Sequence, residues 1–152
     1  MHVTIEVPLP PRGKGRPRMA VVAGRPRVYT PHETRRWESD LAVLASQKMP
    51  PGILEGPLLV GIAAIVQRPK RLMRKMDPEG LLWRPSRPDG DNVRKSVLDA
   101  LNSFWRDDAQ VVCGETLSLY AEKNGRGRVV IAITTMVPEP HQAYERLLGG
   151  PI

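Results

Sequence analysis

Cysteine is nearly missing: Cys113 stands alone in the chain. One thiol excludes an intramolecular disulfide framework and any cysteine-rich zinc site. Its neighbours Val111, Val112 and Leu117 give it the setting of a buried strand residue rather than a nucleophile. Histidine is almost as scarce, and His32 and His141 are isolated, without the partners that a metal or general-base role requires. No apolar run approaches the ~18 to 20 residues needed to span a bilayer. The first residues lack the charged region and apolar stretch of a secretory leader, so a cytoplasmic protein is expected.

Positive charge, by contrast, is abundant. The chain carries 23 Lys and Arg against 16 Asp and Glu, a net +7. Such a surplus suggests an anionic partner, most often nucleic acid, beside the plainer reading of a soluble basic protein. The acids are unevenly spread. Asp89, Asp91, Asp99, Asp107 and Asp108, five of the sixteen acidic residues, fall within RPDGDNVRKSVLDALNSFWRDD at residues 87–108. A basic chain that attracts polyanions gains nothing from such a patch unless the patch holds something positive.

The length suits one domain with a real core. VTIEV at 3–7 alternates as a half-buried strand does, and PLPPRGKGRPRM follows as a basic proline-glycine arm. Residues 19–29 pattern as a hairpin turning at Gly24-Arg25-Pro26. Thr30 then serves as a helix N-cap with Pro31 in the first turn, and Trp37, Leu41, Leu44 and Ala45 recur at helical spacing. LLVGIAAIV at 58–66 suggests an inner strand, and residues 67–90 form a long basic loop. A second helix spans about 91–103, with Val93, Val97 and Leu101 on its buried stripe. Strands over 109–122 and 128–136 are joined by the turn at 123–127. The expected fold is α+β: a small mixed or antiparallel sheet with two flanking helices in a single domain, residues 1–137. Residues 138–152 make a C-terminal tail that forms a turn or two of helix or stays flexible.

Within the acidic window, Asp89 and Asp91 lie two apart just before a helix, so in extended backbone their side chains leave on one side. Steps of four from Asp91 reach Lys95 and Asp99 on the face opposite the apolar stripe. A short helix folded on the sheet is expected to return Asp108 to the Asp89/Asp91 pair. Three close carboxylates repel, and a divalent cation removes that penalty. Magnesium takes hard oxygen ligands, typically one or two carboxylates plus substrate phosphate. It polarises a phosphate and makes hydroxide available near neutral pH, while Lys95 offsets phosphate charge or orients the attacking water. The duller readings are a helix cap at Asp89 or Asp91, a surface pair at Lys95, and an ordinary turn at Asp107-Asp108.

The stretch RPDGDNVRKSVLDALNSFWRDDAQV closely resembles the signature of the RusA family of Holliday junction resolvases, in which PD-x-DN-xx-K leads to DAL and then W-x-DD-x-QV. KGRPR at 14–18 and VYTP before the first helix also fit, and the match covers most of residues 3–136. The resemblance implies a homodimeric, magnesium-dependent endonuclease, with Mn2+ as a substitute, that resolves four-way DNA junctions by paired nicks. Such enzymes are often carried by phages and prophages. It implies Asp89, Asp91 and Asp108 as metal-binding carboxylates, Lys95 as the catalytic lysine, Asp99 in a supporting role, and Asn92 as a shaper of the site.

DNA contacts are expected from Lys14, Arg16 and Arg18 on the arm, from Arg68, Lys70, Arg71, Arg74 and Lys75 in the long loop, and from Arg87. Binding through them weakens steeply with salt and positions DNA without reading bases. Trp37 and Trp105 read as core; Trp83, among the loop cations, is a candidate for stacking on an unpaired base. Two alternatives stand beside a resolvase: a related nuclease acting on flaps or other branches, and a non-catalytic basic DNA-binding protein.

Overall fold

The computed structural model describes residues 1–16 and 18–137, together with Glu145 and Gly149. In chain order the elements are β1 (His2–Val7), β2 (Arg18–Val22), β3 (Arg25–Tyr29), α1 (His32–Ser46), β4 (Leu58–Val66), β5 (Leu82–Trp83), α2 (Gly90–Leu101), β6 (Val111–Cys113), β7 (Thr116–Tyr120) and β8 (Arg128–Thr135). It is an α+β arrangement with a mixed sheet and two helices. The expected tail falls on residues 138–152, which lie outside the described residues except for 145 and 149.

The apolar run of β4 explains the topology. Nine residues with hardly a polar side chain suit an inner strand, and β4 lies inside the sheet, in the order β1-β8-β4-β7-β5. It pairs antiparallel with β8 and parallel with β7, while β6 runs parallel beside its first residues. The turn at 123–127 therefore does not close a hairpin between neighbouring strands, as the sequence suggested. It carries the chain across the end of β4.

The expected single strand over 109–122 is broken in two. Gly114 (φ +141) causes the break: a Cβ there would lie 2.0 Å from the Val60 carbonyl oxygen, so only glycine permits this approach to β4. Residues 108–110 are a 3-10 turn rather than strand. The hairpin turns one step earlier than its sequence suggested, at Ala23-Gly24, both with positive φ. Such a two-residue turn matches the twist of the flanking strands. Pro31, not Thr30, occupies the N-cap of α1, its carbonyl accepting from the Thr34 and Arg35 amides at 3.0 and 3.2 Å.

Both helices cover one face of the sheet. Trp37, Leu41 and Ala45 of α1 and Val93, Val97, Ala100 and Leu101 of α2 pack with Ile5, Val7, Leu58, Val60, Ile62, Val129, Ile131 and Ile133. These are the stripes that the periodicity marks. Each large aliphatic buried this way contributes roughly 1.5–3 kcal/mol, which fixes α2 along the sheet.

The stretch 67–90 is far from structureless. Arg68, only 5% exposed, donates to five carbonyls: Ala121 (2.6 Å), Leu72 (3.3 Å), Pro78 (2.7 Å), Glu79 (3.4 Å) and Gly80. One guanidinium thus ties the loop to the end of β7. Further on, β5 adds a short edge strand antiparallel to β7.

Candidate active site

Asp89 stands at the N-cap of α2, with extended backbone, and its side chain makes no capping hydrogen bond. Asp91 occupies the first turn, and both residues are exposed. The helix N-terminus favours negative charge, so this is a tolerable place for two acids. Lys95 follows one turn on and is also exposed. The approach to Asp89 is held from beneath by Arg84, 2% exposed, whose guanidinium donates to the Ser86 and Pro88 carbonyls, the latter at 2.9 Å. Gly90 seats the first turn directly on β7, where a Cβ would meet Ser118 Oγ at 3.3 Å.

The basic arm crosses this helix start. The Lys14 amide donates to the Asn92 carbonyl at 3.1 Å, and Gly13 lies between Asn92 and Pro88. Trp37 fixes the arm from the other side, its Nε1 donating to the Pro10 carbonyl at 2.9 Å. Lys14 itself is occupied. Its ammonium meets Glu38 of α1 at 2.8 Å and Asp99 of α2. Burial pulls its pKa down, but hydrogen bonds to Asp99 and then Glu38 outweigh that and leave it raised. Asp99 is thereby assigned a partner: it helps lock the arm between the helices.

Asp108 lies elsewhere. Its Oδ1 accepts from Trp105 Nε1 at 3.1 Å, and Trp105 is buried under the end of α2. Asp107 caps the 3-10 turn by accepting from the Ala109 amide at 2.7 Å. Gln110 accepts from the Asp107 amide at 3.1 Å and donates to the Leu54 and Gly56 carbonyls. The Asp-x-x-Gln spacing of a capping box was there to be read in the sequence, and it explains Asp107 and Gln110.

The expected meeting of three carboxylates does not occur. Among the described residues, no group of three or more His, Cys, Asp or Glu is placed to hold a metal ion. The start of α2 rests on Thr116 and Ser118, which pair with Ile62 and Ala64, whereas Asp108 leads into Val111, which pairs with Leu58. A helix of 12 residues, ~18 Å long at 1.5 Å per residue, lies between. What remains is the Asp89/Asp91 pair. Its hard oxygens fit magnesium, which commonly binds through one or two carboxylates and completes its shell with water and phosphate.

Of the cations expected at DNA, Arg16, Arg18, Lys70, Arg71, Arg74, Lys75 and Arg87 lie at the surface. Arg12, Arg16 and Arg18 line a groove of about 310 Å³ with Glu33 and Thr34. Arg74 pairs with Asp77 at 3.2 Å yet stays largely in solvent. Arg68 is the exception: it is buried and spent on carbonyls, so it supports the loop from inside rather than facing DNA. Trp83 is 73% exposed, while Trp37 and Trp105 are core. Arg94, to which no pattern in the sequence draws attention, donates to the Val60 carbonyl at 2.8 Å and ties α2 to β4. Burial holds its guanidinium below the ordinary value, against a smaller opposite effect of Cys113.

Comparison with known proteins adds two matches. The family described as Endodeoxyribonuclease RusA matches residues 8–134. The chain is also 31% identical over 119 residues to "Uncharacterized protein YqaN" of Bacillus subtilis (strain 168), covering 74% of this chain and 84% of that protein.

Proposed function

The chain belongs to the RusA family of Holliday junction resolvases, and from that premise we propose that it is a magnesium-dependent, structure-selective endodeoxyribonuclease that resolves four-way junctions by paired nicks. The observation that carries this reading is the start of α2. Asp89 and Asp91 stand exposed around its first residue, Asp89 unspent on capping, with Lys95 one turn on and a basic arm across the same turn.

In this reading Asp89 and Asp91 hold Mg2+, or Mn2+ in its place. When bound, the cation polarises the scissile phosphate and lowers the pKa of water in its shell. Lys95 presents an ammonium to the phosphate or the attacking water, which favours charge building up on the phosphoryl oxygens. Asn92 shapes the site through its side-chain amide, and Asp99 acts at one remove, through Lys14. Arg16, Arg18, Lys70, Arg71, Arg74, Lys75 and Arg87 neutralise phosphates and position a branched substrate without reading bases. A four-way junction has two-fold symmetry and needs two nicks, so a two-fold homodimer is the natural working unit.

One observation favours the non-catalytic DNA-binding reading: among the described residues no group of three or more His, Cys, Asp or Glu is placed to hold a metal ion. Incubating a synthetic four-way junction with the protein, with and without magnesium, and mapping nicks on all four strands separates a nuclease from a binder. Flap and linear duplex substrates run alongside define the branch it prefers.

A further inference from the structure

The sheet face beneath the helices is built of aliphatic residues such as Val60, Ile62 and Ile131, but under the first turn of α2 it turns polar. Thr116 and Ser118 of β7 lie beside Ile62 and Ala64, on the face that the helices cover. Arg84 directly follows β5; its amide donates to the Ser118 carbonyl at 3.0 Å, and it is 2% exposed. Among the described residues no carboxylate pairs with its guanidinium, and its Nε has no hydrogen-bond partner. Taking a charge out of water without a counter-charge is expensive, so this guanidinium calls for a reason that packing does not supply.

What it holds is the entry to Asp89. The guanidinium donates to the Ser86 carbonyl and, at 2.9 Å, to the Pro88 carbonyl. From the helix side the Val93 amide donates to the Asp89 carbonyl at 3.1 Å. These bonds pin the two peptide planes that flank the Asp89 Cα, one from the sheet and one from the helix. With both planes pinned, the two soft dihedrals between them are set, and so is the direction in which the side chain departs. The carboxylate makes no capping hydrogen bond of its own, so its aim depends on that backbone. Gly90 then rests against Ser118 and Thr116, which carries the same seat on to the turn that bears Asp91.

We infer that Arg84 is a positioning residue for the Asp89/Asp91 pair: its planar fork fixes the backbone turn that aims Asp89 to where both carboxylates share a divalent cation. Arginine suits this task because its rigid donors grip two carbonyls at once, whereas a lysine ammonium keeps the charge and loses the fork. The charge itself is not the useful part, since a cation behind the pair repels a second cation in front of it. The inference rests on the magnesium reading above.

The test reads metal binding, not cleavage, with Mn2+ alone as the probe and free Mn2+ followed by electron paramagnetic resonance. The full chain should take up Mn2+, and Asp91→Asn should weaken that uptake. Arg84→Lys keeps the charge and should weaken Mn2+ affinity by about 10-fold or more, the scale for residues that orient metal ligands from behind. Arg94→Lys loosens a different tie of the same helix, to the Val60 carbonyl, and should leave the affinity unchanged. A second measurement, on the wild type, does not depend on a variant folding. The Arg84 Nε–H signal in proton–nitrogen NMR should move as Mg2+ is added, whereas that of Arg68, also buried, should not. Arg84→Lys with wild-type affinity, an equal loss in Arg94→Lys, or an Arg84 signal that stays still overturns the inference and leaves the magnesium reading standing. A wild type that takes up no Mn2+, or uptake indifferent to Asp91→Asn, overturns that reading and the inference with it.

Discussion

Lys14 of the basic arm pairs with Asp99 of α2 while also reaching Glu38 of α1, so a residue that reads in the sequence as a DNA contact is a clamp between the two helices. The clamp holds the arm where its backbone crosses the first turns of α2, at Asn92. Through that crossing, the ion pairs of Lys14 fix where the arm runs beside the Asp89/Asp91 pair.

Removing the clamp should lower stability modestly. Lys14→Met is expected to cost about 1 kcal/mol, the upper end for pairs near a surface, and so to lower the midpoint by about 2–4 °C in a chain of this size. The pH dependence follows from the raised Lys14 pKa. A raised folded value stabilises fully below the unfolded value of about 10.4 and is lost as pH rises through the folded one. Melts of wild type and Lys14→Met should therefore differ at neutral pH and converge as the pH climbs through the raised folded value of Lys14. A gap that persists once the Lys14 ammonium is deprotonated would assign Lys14 a packing role instead.

Arg68 should matter far more. Its five carbonyl partners lose their donor together in Arg68→Met, and the Ala121 carbonyl, whose bond to Arg68 is buried, alone costs about 1–3 kcal/mol when left unsatisfied. Limited trypsin digestion reads this directly, since Lys70, Arg71, Arg74 and Lys75 are cleavable once the loop opens. Rapid cutting within 70–75 of the variant, with wild type resistant, is expected. Equal resistance would mean that the loop is held by other interactions.

The exposed cations divide from the buried ones in salt dependence. Arg71→Ala and Lys75→Ala should each reduce the slope of log affinity against log salt for junction DNA by about 0.9 for every phosphate left without its cation. Lys14→Met should leave the slope nearly unchanged, because its ammonium is already paired. A fall of equal size for Lys14→Met would return it to the DNA surface.

Asp108 supplies a separate test, of position. Asp108→Ala removes the acceptor of the buried Trp105 indole, so thermal stability should fall by about 1–3 kcal/mol. Magnesium affinity, measured by calorimetry, should stay near wild type, while Asp91→Asn lowers it. A loss of affinity as large as that of Asp91→Asn would mean that Asp108 reaches the pair once the cation is bound.

The sequence carried much of this, for physical reasons that can be named. Helical spacing of Trp37, Leu41 and Ala45 and of Val93, Val97 and Leu101 marked the helices because each stripe faces the same sheet. The apolar run 58–66 marked the central strand because an inner strand has both edges paired by backbone and presents its side chains to the two faces of the sheet, neither of which is open enough to favour a charged residue. The acidic window marked the candidate site because its Asp-x-Asp spacing is local. What escaped was set by neighbours distant in sequence. No periodicity shows that β4 separates β7 from β8, and only the Val60 carbonyl explains why Gly114 splits a strand. The fates of Lys14 and Arg68 depend on Asp99, Glu38, the Ala121 carbonyl and the way the loop curls its own carbonyls back onto Arg68, so cations that look alike in the sequence differ in the fold. The return of Asp108 was expected from a short helix folding back on the sheet and from the family resemblance, and the partner that Asp108 has in the fold, the Trp105 indole, is not visible in either.

The most direct test of the central claim is cleavage of a synthetic four-way junction by wild type and Asp91→Asn, with and without magnesium, alongside binding of the same junction. The account expects paired, symmetric nicks by wild type only when magnesium is present. It expects Asp91→Asn to lose at least about 100-fold in rate, or about 2.7 kcal/mol of transition-state stabilisation, with binding retained. Tight junction binding with no magnesium-dependent nick by wild type, or undiminished cutting by Asp91→Asn, would contradict it.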